Sequence, residues 1–107
     1  MTVYFYGRNS DIESFEKNTS IQTQLSKCKS YANIKDLKID VEITEQVSGT
    51  INFERREKGS ELLSLLKKGD HIICSHLDRF SRNTLNLLTL VEKFKKQKVS
   101  LHFVDIG

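Results

Sequence analysis

Residues 69–82 read Gly69-Asp70-His71-Ile72-Ile73-Cys74-Ser75-His76-Leu77-Asp78-Arg79-Phe80-Ser81-Arg82, and within them the run His71 to Leu77 decides the fold. A strand with one wet face alternates apolar and polar residues, whereas this run shows little alternation and is flanked by helical patterns. It reads as a central strand covered on both faces. On its N-terminal side, Leu62-Leu63-Ser64-Leu65-Leu66 marks a helix that stops with Lys67-Lys68-Gly69, two cations in the last turn and a glycine at the C′ position. On its C-terminal side, Leu87, Leu88, Val91 and Phe94 mark an amphipathic helix capped by Ser81 or Asn83.

Further outward, Val3 to Tyr6 is a β-rich run that stops at Gly7, and Arg8 to Asn18 reads as a loop. From Ser20, the residues Ile21, Leu25, Cys28 and Ala32 recur at helical spacing, with Thr19 and Gln22 set as a capping box, so the spacing predicts a helix to about Asn33. Leu37, Ile39, Val41 and Ile43 alternate with Lys38, Asp40, Glu42 and Thr44, the pattern of a strand near a sheet edge that ends at Ser48-Gly49. Val99 to Val104 is the last strand. Strands alternating with helices predict an α/β fold, a three-layer and mostly parallel sheet with helices on both faces. Proline is absent and no repeat divides the chain, so residues 1–107 form one domain.

Composition narrows the class. The 107 residues are 37% hydrophobic and 29% charged, as expected of a domain with one modest core rather than a disordered tail. No apolar run approaches the roughly 18 residues of a spanning helix, and no basic region precedes an apolar one at the N-terminus, so the expectation is an intracellular protein with no membrane partner. Cys28 and Cys74 each lie in an apolar segment and read as reduced core residues. His71, His76 and His102 show no ligand spacing with carboxylates or thiols, so no metal is expected. The net charge of +3 is compatible with a nucleic-acid partner without establishing one.

In parallel sheets ligands bind beyond the carboxyl ends of the strands. That rule gathers Tyr6-Gly7-Arg8-Asn9-Ser10, Gln46-Val47-Ser48-Gly49 and Leu77-Asp78-Arg79-Phe80-Ser81-Arg82 on one rim. Arg79 and Arg82, three residues apart at a helix start, share a face and suit a phosphate, because a planar guanidinium donates two parallel hydrogen bonds and stays charged. Taken singly these residues have plain readings: Ser10 as a turn or cap, Asp78 with Arg79 as an ion pair, Ser48-Gly49 as a turn. Their convergence on one edge favours a site.

The spaced blocks Tyr6-x-Arg8-x-Ser10, Ser20-Ile21-x-x-Gln24, Ser48-Gly49, an arginine ahead of the leucine-rich helix with Gly69-Asp70, and Leu77-Asp78-Arg79-Phe80-Ser81-Arg82 together resemble the catalytic domain of the serine site-specific recombinases, the resolvase/invertase family. The resemblance spans essentially the whole chain. It implies that Ser10 attacks a DNA phosphodiester to form a 5′-phosphoserine link and release a 3′-hydroxyl, with no cofactor. It also implies that Arg8, Arg79, Arg82 and Arg56 stabilise the transition state. Either Arg55 or Arg56 fits the motif, and counting back from Gly69-Asp70 favours Arg56. Asp78 would orient the arginines and share in proton transfer, and Arg79 would help protonate the leaving oxygen. Tyr6, Gln24 and Ser48 would support the site. The implied partners are DNA at a recombination site and other recombinase subunits, in a bacterial or mobile-element setting and a cytoplasmic location.

Three features depart from the family pattern. The segment between Ser10 and Ser20 is long and carries Asp11, Glu13 and Glu16; Gly7 and Asn9 flank the arginine; and the chain ends at Asp105-Ile106-Gly107, where family members continue into a dimer-forming helix and a DNA-binding region. A competing reading is therefore a catalytically inactive, truncated recombinase-like domain acting in protein–protein interaction. A phosphatase built on Cys74 and Arg79 fails on spacing, and a receiver domain would need acidic residues where this rim has arginines.

Overall fold

A computed structural model describes residues 1–10 and 20–105. Four strands, β1 (Val3–Asn9), β2 (Val41–Gln46), β3 (His71–His76) and β4 (Ser100–Asp105), form one sheet in the order β2-β1-β3-β4, with every pairing parallel. Helix α1 (Ile21–Ile34) covers one face. Helices α2 (Glu57–Leu65), α3 (Leu77–Phe80) and α4 (Thr84–Gln97) lie on the other, so the three-layer α/β expectation holds. No described helix is long and apolar enough to cross a membrane.

The two faces of β1 show how the sequence builds two cores. Val3 and Phe5 pack under α1 with Cys28, Ala32 and Ile73, while Tyr4 and Tyr6 point the opposite way into a larger cluster with Phe53, Leu62, Ile72, Phe80, Leu90 and Phe94. Cys28 and Cys74 are both buried and unbridged, and burial pushes both thiols up to about 12.

Several sequence expectations shift. Strand β1 does not stop at Gly7 but runs to Asn9, pairing with β2 as far as Asn9 and Gln46, so Arg8 belongs to a strand and not to a loop. Gly7 is a packing gap: a Cβ there would lie 2.7 Å from the Phe5 ring, which folds over it. The cap of α1 is Ser20, whose hydroxyl accepts from the Thr23 amide; Thr19 and the acidic segment 11–19 lie outside the described residues, as do Ile106 and Gly107.

The alternation over 37–44 is not one strand either. Leu37 and Ile39 pack against the α1-side cluster, while Val41 is exposed and Ile43 is buried on the opposite side, so the face buried changes where β2 begins. β2 is an edge strand as expected. Helix α2 ends at Leu65, so Lys67 and Lys68 lie beyond it; Gly69, at φ +91°, serves the turn into β3 and not the helix C′ position. Of the two candidate caps for α4, Asn83 does the work, accepting from the Asn86 amide. The short helix α3 and the 3₁₀ turn at Phe53–Arg55 carry no periodicity and were not expected.

Beneath α1 a polar chain crosses the sheet. Tyr31 Oη lies 2.9 Å from His102 Nδ1, and His102 Nε2 lies 2.9 Å from His71 Nδ1 with the two rings stacked. Burial, then His71 and Lys35, hold the His102 pKa below its ordinary value. A histidine depressed in the folded state contributes stability above its unfolded pKa of about 6.5 and loses it as pH falls below that value. Urea unfolding between pH 7.5 and 5 should therefore show stability falling with acid, and His102→Gln should flatten that slope while lowering stability at pH 7.5.

Candidate active site

The carboxyl rim of the sheet is organised by three arginines. Arg8, at the end of β1, is fully buried. Its Nε donates to the Arg79 carbonyl at 3.1 Å, Nη1 to the Val47 carbonyl at 3.0 Å and Nη2 to the Asp78 carbonyl at 3.0 Å. Its main chain is clamped from α1 by Gln24, whose Oε1 accepts from the Arg8 amide at 3.1 Å and whose Nε2 donates to the Arg8 carbonyl at 2.9 Å. Gln24 is thus a buried main-chain clamp, not a surface amide.

Arg56 lies between the 3₁₀ turn and α2 and is 1% exposed, whereas Arg55 is exposed. Arg56 Nη1 donates to the same Arg79 carbonyl at 3.0 Å and to Tyr6 Oη at 3.2 Å, and Nε donates to the Ile51 carbonyl at 2.9 Å. Its Nη2 is buried and has no hydrogen-bond partner among the described residues. A buried donor without an acceptor is costly unless something supplies one. Arg79 completes the cluster, 7% exposed, with Nη1 donating to the Arg8 carbonyl at 3.3 Å.

Tyr6 and Glu45 back this cluster. Tyr6 Oη donates to Glu45 Oε2 at 2.5 Å, and Glu45 also accepts from the amides of Lys58 at 3.0 Å and Gly59 at 3.1 Å, which cap the start of α2. Burial and then the Glu45 carboxylate push the Tyr6 hydroxyl well above its ordinary pKa, so it remains a proton donor. Glu45 was missed by sequence reasoning, which read β2 as alternating into solvent; Glu45 shares the face of buried Ile43, and that period-two relation was the available signal.

The remaining residues sit nearer solvent. Ser10 is half-buried at the exit of β1, two residues beyond Arg8. Arg82 is exposed, and its side chain passes over Gly49: a Cβ at position 49 would lie 2.6 Å from Arg82 Nε and 2.9 Å from Arg8 Nη2. Gly49 therefore lets two guanidiniums approach one spot. Asp78 presents its carboxylate outward and holds Arg8 through its main-chain carbonyl, while Ser48 bonds within its own turn, 2.8 Å from Thr50 Oγ1. The structure thus gathers Arg8, Arg56, Arg79, Arg82, Tyr6 and Gln24 at the rim, and places the side chains of Asp78 and Ser48 at its surface.

The fold and rim define a parallel α/β domain with a guanidinium cluster and a hydroxyl at the carboxyl edge, where such sheets carry their ligands. The model of the resolvase N-terminal domain matches residues 3–107, and the chain belongs to that family. It is 29% identical over its whole length to the transposon Tn3 resolvase of Escherichia coli, of which it covers 52%. It is also 35% identical, over 64% of the chain and 35% of the relative, to the transposon Tn917 resolvase of Enterococcus faecalis. The chain thus spans about half or less of the length of these relatives.

Among solved structures, the N-terminal catalytic domain of TP901-1 integrase superposes with a TM-score of 0.82 at 22% identity, covering 97% of this chain and 78% of that one. A resolvase family site-specific recombinase from Streptococcus pneumoniae gives 0.76 at 24% identity, covering 97% and 72%. At these identities the likeness is one of fold.

Gly49→Ala tests the close approach. The clash falls largely on the flexible Arg82 side chain, so stability should change by less than about 1 kcal/mol. Crystallography or NMR should then show Arg82 displaced from Arg8, and an unchanged Arg82 position would refute the packing role of Gly49.

Proposed function

We propose that this chain is the catalytic module of a serine site-specific recombinase, with Ser10 as nucleophile. Ser10 Oγ attacks a DNA phosphorus, an Oγ–P bond forms, the P–O3′ bond breaks, and the proton lost by the serine is balanced by the one gained by the 3′ oxygen. A second 3′-hydroxyl attacking the phosphoserine reverses the step and rejoins DNA, so the bond energy is conserved without a cofactor.

The observation that carries this reading is the interlocked cluster of Arg8, Arg56 and Arg79 on shared main-chain carbonyls, at the rim where Ser10 leaves β1. A phosphodiester transition state spreads negative charge over its non-bridging oxygens, and fixed cations aimed at that charge contribute several kcal/mol. The buried members, Arg8 and Arg56, supply field and rigidity; Arg79 and exposed Arg82 are the guanidiniums suited to touch the phosphate, with Arg79 helping to protonate the leaving oxygen. Arg56 Nη2, buried and without a partner among the described residues, is a further donor that a water held beneath the anion would satisfy. Asp78, exposed on this rim, shares in proton transfer, and Gln24, Tyr6 and Ser48 support the loops. DNA and further recombinase subunits are the partners, in the cytoplasm of a bacterium carrying a mobile element.

The full-length protein, incubated with a supercoiled plasmid carrying the DNA that flanks its gene and stopped with detergent, should yield protein covalently attached to 5′ ends, with Ser10 as the modified residue by mass spectrometry. Ser10→Ala should abolish the adduct while leaving the melting temperature unchanged, since a rim hydroxyl adds little to the core. Arg79→Lys keeps the charge but loses the planar fork and should slow adduct formation at least about tenfold. An adduct surviving in Ser10→Ala moves the nucleophile elsewhere.

A further inference from the structure

The segment carrying Arg56 and the segment carrying Arg79 and Arg82 are far apart in sequence, and outside the arginine cluster a polar side-chain pair joins them, above the stacked Phe53 and Phe80 rings. Asn86, in the first turn of α4, donates from Nδ2 to both carboxylate oxygens of Glu54, at 3.0 and 2.8 Å. Glu54 sits in the 3₁₀ turn two residues before Arg56, and Asn86 lies four residues after Arg82.

The rest of the Asn86 amide is also committed. Its Oδ1 lies 3.2 Å from Ser81 Oγ, which shares its proton with the Asn83 carbonyl at 3.0 Å and accepts from the Asn83 amide at 3.3 Å. Asn86 is 9% exposed and Ser81 is 5% exposed, so these bonds are shielded from water. Beneath them the rings of Phe53 and Phe80, each adjacent to a member of the network, stack with centroids 4.1 Å apart.

We infer that Glu54 and Asn86 are positioning residues: their amide–carboxylate brace fixes the 53–56 turn against the 77–86 segment and so sets where Arg56 meets the Arg79 carbonyl and where Arg82 begins. This rests on the recombinase reading for its consequence in cleavage, though the brace itself does not. Capping of α4 does not explain it, since the Asn83 side chain already takes the Asn86 amide. A packing role does not explain it either: an apolar residue at 86 would fill the space without orienting anything, whereas an amide with its oxygen on Ser81 and its nitrogen on Glu54 has one orientation.

Donor and acceptor can be exchanged. Asn86→Asp sets a second carboxylate against Glu54 and breaks the brace, and adding Glu54→Gln restores complementarity with the polarity reversed. In the full-length protein, Asn86→Asp should slow adduct formation at least about tenfold, and the double variant should recover to within about threefold of wild type. Hydrogen exchange at Arg56 Nε–H, bonded to the Ile51 carbonyl at 2.9 Å and measured against core amides of β3 that exchange only on global unfolding, should accelerate relative to those amides in Asn86→Asp and slow again in the double variant, whereas a general loss of stability moves both together. If Asn86→Asp does not fold, Glu54→Ala, at an exposed position, should show the same accelerated exchange with a nearly unchanged melting temperature. Wild-type Arg56 exchange in Asn86→Asp or Glu54→Ala, or a double variant that fails to recover, overturns the brace. A wild-type protein that forms no adduct overturns the recombinase reading instead, and leaves the exchange measurement to decide the brace.

Discussion

The carbonyl oxygen of Arg79 accepts from Arg8 Nε and Arg56 Nη1 at once, and the rim is arranged around that single acceptor. Taking a guanidinium out of water costs several kcal/mol, and a hydrogen bond to a charged group returns about 1.5–3 kcal/mol, so a buried arginine persists only where several acceptors converge. Arg8 spends its Nε, Nη1 and Nη2 on three different carbonyls. A carbonyl contributes a dipole and no charge, so these bonds fix each cation without cancelling it. For two guanidiniums to reach the Arg79 carbonyl, β1 must extend to Asn9, α3 must turn the chain after β3, and the 3₁₀ turn must deliver Arg56. Each of these local features is otherwise unremarkable in its sequence.

That dependence explains which parts of the molecule were legible in the sequence. The unbroken apolar run at 71–77 placed β3 at the centre of a parallel sheet, and the helical stripe at Ile21, Leu25, Cys28 and Ala32 placed α1, because burial on a face imposes a period. The position of Arg8, Arg79 and Arg82 on one rim followed from strand direction alone. What periodicity could not show was a contact between segments distant along the chain. Gly7 looked like a strand end, yet its role is to make room for Phe5; no pattern in the sequence pairs Glu54 with Asn86, yet they meet each other. At Asp78 it is the main-chain carbonyl, which every residue has, that touches Arg8, and no residue type signals such a contact.

Parallel topology also explains why one net charge hides two different surfaces. All strands run the same way, so the three longer helices start at the rim that holds the arginines and end at the opposite edge. Helix starts carry partial positive charge and helix ends partial negative charge, so the dipoles reinforce anion attraction at the rim and favour cations at the far edge. The far edge has them: Lys67 and Lys68 follow α2, Lys95, Lys96 and Lys98 close α4, and the two turns are joined by the Gly69 amide on the Lys98 carbonyl at 2.9 Å.

The two edges differ in what they require of a cation. At the far edge any exposed ammonium suffices, since the dipole fixes no direction and water completes the coordination. At the rim the charge opposes the helix dipoles and must be held against them by geometry. Arg8 bridges Val47, Asp78 and Arg79, residues from two segments on either side of β1, with a rigid plane of donors, and a lysine ammonium on a flexible stem has no equivalent reach. The placement of buried guanidiniums, rather than ammoniums, at the rim is therefore set by the fold. A net charge of +3 averages guanidiniums held in fixed directions with a solvated surface of mobile ammoniums.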